Sequence, residues 1–207
     1  MNESMIFKGR FSVKRYEDAE VLREISRGDT IGELIARQEA LTKALREGLP
    51  ISFELVDEQE ARNTVANAYY DLVFDTMLKG DSYTENVRIG LFGNDVTPSA
   101  SLVITDFRAT LGEATDFTVD SGNSTNRATT TFAASSSQSI TNDAAPSRFT
   151  FTGTDTIYGA FLTHGATLKD GSQDVAPAVY IAGAKFAAAQ PVASGSIIDI
   201  VYTQSKT

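Results

Sequence analysis

The stretch Thr156-Ile157-Tyr158-Gly159-Ala160-Phe161-Leu162 decides the fold. Side chains alternate between the two faces of a strand, and here large apolar groups stand at odd and even positions alike. Such a run reads as a central strand buried on both sides. Working outward, Phe149 to Phe151, Val179 to Phe186 and Ser196 to Thr203 read as further strands. Upstream, Val87, Ile89 and Leu91 alternate with Arg88, Gly90 and Phe92 in a period of two. Several short strands separated by Gly, Pro and Asn predict an antiparallel β-sandwich. Between them, Gly112 to Asn142 has weak periodicity, including Ser135-Ser136-Ser137-Gln138-Ser139, and reads as a long surface loop or thin edge strands.

The composition changes near Arg62. Residues 1–62 hold 10 Lys/Arg and 13 Asp/Glu, whereas beyond Asp81 the only glutamates are Glu85 and Glu113. Helix-favouring composition gives way to strand-and-turn composition. Phe7, Phe11 and Val13 alternate with Lys8, Arg10, Ser12 and Lys14, a strand with one wet face. A turn at Glu17-Asp18-Ala19 would lead to a second strand from Glu20 to Ile25. Thr30 and Glu33 form a capping box, Ile31, Leu34, Ile35, Leu41 and Leu45 share a helical face, and Gly48 with Pro50 ends the pattern. This predicts a helix over 31–47, followed by a short strand from Ile51 to Val56. A second helix is expected from Thr64 to Lys79, stopped by Gly80. It carries Val65, Ala68, Tyr69 and Leu72 on one face and Phe74, Met77 and Leu78 on another. A helix apolar on two sides is buried between partners. The expected fold class is therefore α+β: an N-terminal base over 1–80 with a hairpin and two helices, then an antiparallel sandwich over 81–207.

The chemistry-bearing residues are few. The 207-residue chain has a net charge of −9 and no cysteine. Acidic charge opposes wrapping of nucleic acid, and the cluster Lys8, Arg10, Lys14 and Arg15 reads as a solvated strand face. Without cysteine there are neither disulfides nor thiolate metal sites. Met1 to Phe11 lacks the apolar stretch of a signal peptide, and no segment reaches membrane-spanning length, so synthesis in the cytoplasm is expected. His164 is the only histidine and reads as an ordinary loop residue; neither a phosphate-binding glycine loop nor a zinc ligand set is present. Asp116, Asp120, Asn123 and Asn126 hold oxygens that could wrap calcium, but Asx-rich turns use these groups for their own backbone bonds. No catalytic, cofactor or metal residue is assigned. Among the aromatics, Tyr69 and Tyr70 suit core or interface use, and Tyr83 and Tyr180 are expected to be exposed.

Several stretches, taken in order, resemble a family of structural proteins of tailed-bacteriophage virions, decoration or tail-associated. Asn67 to Gly80 looks like the helix leading into the family's first strand, Val87 to Phe92. Ser139 to Asn142, Phe149 to Phe151 and Thr156 to Leu162 are similar to its middle strands. Ala184 to Ala187, Pro191 to Gly195 and Ile200 to Thr203 are similar to its ending, and Phe7 to Tyr16 to its opening strand. The chain departs from the family in lacking tryptophan, in Asp116 to Phe132, and in a longer charged insert from Arg27 to Arg62. The resemblance implies a virion component on the head surface. It would be a capsid decoration (cement) protein that binds the major capsid protein, with self-association and without nucleic acid, membrane or cofactor. The second expectation is a neck, tail or fibre-tip protein that contacts a host glycan or receptor. Tyr69, Tyr70, Phe74, Met77 and Leu78 are the expected partner-binding residues.

Overall fold

The computed structural model describes residues 7–18, 53–75, 86–119, 122–136, 139–175 and 178–206. These form two antiparallel sheets that share one hydrophobic core, the arrangement of a β-sandwich. The first sheet takes β1 (Phe7–Asp18), β2 (Phe53–Arg62), β5 (Phe117–Thr118), β7 (Ser139–Thr141), β8 (Ser147–Phe151) and β11 (Ile197–Lys206). Its order is β2-β1-β11-β8-β5, with β7 beside the far end of β11. The second sheet takes β3 (Thr64–Val65), β4 (Val87–Phe92), β6 (Ala128–Thr129), β9 (Asp155–His164) and β10 (Val179–Val192), in the order β3-β10-β9-β4-β6.

Alternation sets the inner faces. Phe11 and Val13 of β1, Phe149 and Phe151 of β8, and Ile198, Ile200 and Tyr202 of β11 point inward from the first sheet. Val87, Ile89 and Leu91 of β4 and Ala160 and Leu162 of β9 meet them from the second. The expected central strand is central: β9 pairs with β4 on one side and β10 on the other. Its second apolar face also has a cover. The connection from Gly93 to Leu111, with the helix α2 (Phe107–Leu111), folds over the outside of the second sheet. There it buries Phe92, Phe161 and Tyr180 beneath Leu102, Ile104 and Leu111.

Glycines make this outer layer thin. Gly90 and Phe161 are register partners, as are Phe92 and Gly159, and each ring lies over the glycine opposite. A Cβ at Gly90 would overlap the Phe161 ring, and one at Gly159 would overlap both the Phe92 ring and the Ala184 carbonyl oxygen. Tyr180 likewise sets its hydroxyl over Gly183, beside Pro98.

The N-terminal strands join these sheets. β1 pairs with β11 from Phe7 to Tyr16 and with β2 from Arg10 to Asp18, so Glu17 and Asp18 continue the strand instead of turning. The strand expected at Ile51 to Val56 extends instead to Arg62. The predicted second strand (20–25) and helix (31–47) lie outside the described residues. The helix expected from Thr64 begins later, as α1 (Asn67–Phe74). Thr64 and Val65 pair with Gly183 and Ala182 instead. Two β-branched residues beside an open strand edge gain ladder bonds that a first helical turn would leave unmade. The weakly periodic segment 112–142 supplies the short strands β5, β6 and β7.

Candidate functional site

A cleft of about 350 Å³ opens at one end of the sandwich, where the two sheets part. Tyr69 and Leu72 of α1 line one wall, and Val87, Leu162 and Ile181 of the second sheet line another. Phe132 to Ser135, Ile140 and the pair Tyr202 and Gln204 complete it. α1 reaches this place because Ala66 N–H donates to the Ile181 carbonyl and Asn67 N–H to the Ala100 carbonyl, at 2.8 and 2.9 Å. Those bonds fix the first turn against β10 and the 93–111 connection. The helix then rests half-buried, with Tyr69 packed against the common core and Asp71 exposed.

The cleft is apolar with a polar seam. Asn63 Nδ2 donates to the Tyr202 hydroxyl at 3.0 Å, and that hydroxyl donates to Gln204 Oε1 at 3.3 Å. Gln204 also bonds the Tyr69 side chain. Burial pushes both phenols upward in pKa, so they stay neutral. Phe11 and Phe132 hold the Tyr202 ring, with centroids at 4.8 and 6.2 Å. An apolar concavity of this size with a few convergent polar groups can accept a side chain or a small ring. Of the expected partner-binding residues, Tyr69 stands in the cleft wall and Tyr70 beside it, with ring centroids 6.4 Å apart. Phe74 closes α1, and its side chain is not among those described; Met77 and Leu78 lie outside the described residues.

A second groove, about 330 Å³, is lined by Thr118, Val119, Thr129, Ser147, Arg148 and Thr150, with Gly122 and Pro146 at its rim. It lies where β5, β6 and β8 converge, so part of its wall comes from the 112–142 segment.

The charge chemistry is concentrated elsewhere, in a buried network that the sequence reading missed. Arg127 is fully buried. Its Nε and Nη2 donate to the two Glu113 carboxylate oxygens at 2.7 and 2.9 Å, and its Nη1 donates to Asp174 and to the Ala166 carbonyl at 3.1 and 2.9 Å. Arg108 adds a third bond to Glu113 at 2.9 Å. Lys169 donates to the carbonyls of Thr115 and Phe117 at 2.8 and 2.7 Å, above the Phe117 ring. Burial pushes the Glu113 carboxyl up while the two guanidiniums oppose it, and the carboxylates hold Arg127 protonated. The Glu113 side chain is 1% exposed, so the network ties α2, the start of β6 and the β9–β10 connection together and offers no open site. The available signal was scarcity: Glu113 is one of two glutamates after Asp81.

Tyr180, expected to be exposed, is fully buried, because the outer face of the second sheet lies under the 93–111 connection. Tyr83 lies outside the described residues. His164 ends β9. Asn123 Oδ1 accepts from the N–H groups of Thr125 and Asn126, both at 2.9 Å, the Asx-turn use of such oxygens. Asp116 is exposed, and Asp120 is outside the described residues. Among the described residues no group of three or more His, Asp or Glu side chains is placed to hold a metal ion. Arg10 and Lys14 stand on the wet face of β1, paired with Glu60 and Glu58 at 3.3 Å each. No described helix is long and apolar enough to cross a membrane. Comparison with protein-family models, curated proteins and solved structures returns no match for this chain.

Proposed function

We propose that this chain is a structural protein of a tailed-phage virion, a capsid decoration protein that docks on the major capsid protein and displays the sandwich outward. The observation that carries the reading is the cleft wall formed by α1. A half-buried helix presents Tyr69 and Leu72 at the open end of a sandwich, and the residues beside them are apolar. Aromatic groups at the rim of an apolar pocket are the composition that anchors protein interfaces. Among the described residues, the stretches on which the phage resemblance rests form β1, α1 (the first part of Asn67 to Gly80), β4 and β7 to β11. Docking uses the α1 end of the sandwich, the described part of the expected 1–80 base that lines the cleft, and repetition on a lattice supplies avidity, so each contact can be weak.

The test is co-sedimentation with undecorated phage heads. The chain should pellet with the heads to a fixed stoichiometry, and Leu72→Glu, at a half-buried position in the cleft wall, should lower binding at least tenfold. Failure of the unaltered chain to pellet at any concentration overturns the reading. The hydroxyl-lined groove at Thr118, Thr129, Ser147 and Thr150, with Arg148, favours a second reading, a tail or fibre-tip protein that holds a host glycan. Glycan-array binding that Thr150→Val abolishes, together with no affinity for heads, selects that alternative.

A further inference from the structure

Register on the first sheet builds a row of alternating charge across its outer face. Glu58 of β2 stands opposite Lys14 of β1, Lys14 opposite Asp199 of β11, and Asp199 opposite Arg148 of β8. Their chain neighbours Val13, Ile198, Ile200 and Phe149 point into the core, so all four charges belong to the outer face. Lys14 pairs with Glu58 at 3.3 Å, and Arg148 donates to both Asp199 oxygens at 2.7 Å. The result is two ion-pair dipoles in line, read −, +, −, + from edge to edge. The terminal side chains are the most open, Glu58 at 50% and Arg148 at 62% exposure. Small residues, Ser12, Val201 and Thr150, flank the row.

We propose that this face is a self-association surface whose partner is a second copy of the chain, related by a two-fold axis parallel to the strands and lying between β1 and β11. Rotation about that axis reverses the row and lays it on the original. Reversal of −, +, −, + is +, −, +, −, so the open ends make the contact, Glu58 of each copy meeting Arg148 of the other, while Lys14 faces the Asp199 that Arg148 covers. A two-fold axis along the row instead sets every charge against its own kind, which excludes that orientation. The contact is therefore isologous and closed. The chain as a whole carries −9, so copies repel each other. This face is close to balanced, with Arg10, Lys14, Arg62 and Arg148 against Glu58, Glu60 and Asp199, and gives two copies a less repulsive route of approach. Exposed ion pairs are individually weak and screened by salt, so the association is reversible and salt-sensitive. It holds in solution and does not depend on the virion reading.

Sedimentation velocity on the full chain tests it. A reversible dimer is expected at about 0.01 M salt and monomer at about 1 M, where charges are screened within a few ångströms. Arg148→Glu and Glu58→Arg should each weaken dimerisation at least tenfold, since each homodimer then holds two like-charge contacts. An equimolar mixture of the two should regain a heterodimer, because both end contacts are again opposite in sign. The pair Arg148→Gln and Glu58→Gln carries the same test without added repulsion, each lowering affinity in a folded chain. A monomer at low salt, unaltered dimerisation of the single variants, or no recovery in the mixture overturns the proposal.

Discussion

Gly159→Ala is the sharpest probe of how the second sheet is layered. The new methyl would lie closer than 3.0 Å to the Phe92 ring and to the Ala184 carbonyl oxygen. The ring can tilt, but the carbonyl belongs to β10, which runs beside β9 through Ala184–Ala160 and Lys185–Gly159. Relieving the overlap means forcing strained packing, at about 1–3 kcal/mol, and weakening a ladder bond, at about 1 kcal/mol. Loss of glycine's freedom in the unfolded chain returns about 0.4–1 kcal/mol. The net loss is about 1–3.6 kcal/mol, a fall of roughly 2–14 °C in Tm for a chain of this size. Gly90→Ala differs, because the three atoms nearest its methyl all belong to the Phe161 ring. Its cost should therefore vanish once the ring is gone. Phe161→Ala alone should cost about 3–5 kcal/mol, and the double variant should be less destabilised than the sum by about 1–2 kcal/mol. Removing Phe92 should rescue Gly159→Ala only in part, since the carbonyl stays. Urea unfolding of the set measures each quantity. If Gly159→Ala lies within about 0.5 kcal/mol of the parent chain, the ring-over-glycine layer is wrong.

Arg127→Met leaves Glu113 and Asp174 buried with one cation fewer, and should cost about 3–5 kcal/mol by urea titration; a loss under about 1 kcal/mol contradicts a network that holds these connections together. In that variant the Glu113 carboxyl, already raised by burial, rises further. A folded pKa above the unfolded one adds stability at low pH that is lost as pH rises through it, so the deficit should shrink on acidification; a deficit independent of pH removes Glu113 from the explanation. Asp57 accepts from Gln59 Nε2 at 2.7 Å and from Gln190 Nε2 at 2.6 Å, which holds its carboxyl below the ordinary 3.8. That contribution is present above pH 3.8 and fades as pH falls through the lowered value, so Asp57→Asn should flatten the acid limb of the stability curve. An unchanged acid limb in thermal melts between these pH values counts against the link that Asp57 makes from β2 to β10.

What the sequence revealed follows from what period-two alternation encodes. Strands with one wet face or two apolar faces, such as Val87–Phe92 and Asp155–His164, announce themselves because their side chains report burial directly. The two-sided pattern of β9 told of burial on both faces but not of what covers the second, which a connection of mixed composition supplies. Tyr180 was misread for that reason. Thr64 and Val65 fit a helical pattern, and the edge of β10 took them, a tertiary partner overriding local periodicity. Of the cleft, Tyr69 was legible as an interface aromatic, whereas Leu162, Ile181 and Tyr202 looked like plain core. Their convergence at an open end depends on sheet order, which no local pattern carries. The Arg127 network escaped because its members are spread from Arg108 to Asp174 with no spacing rule between them.

The central functional claim is that this chain coats a phage head. Imaging intact particles by electron cryomicroscopy, with the sandwich fitted to the density, tests it most directly. The account predicts the two-sheet domain repeated over the capsid lattice, in a number set by the lattice, with the Tyr69–Leu72 end of α1 facing the shell. Particles whose lattice carries no such density, or whose few copies sit only at the tail, contradict it.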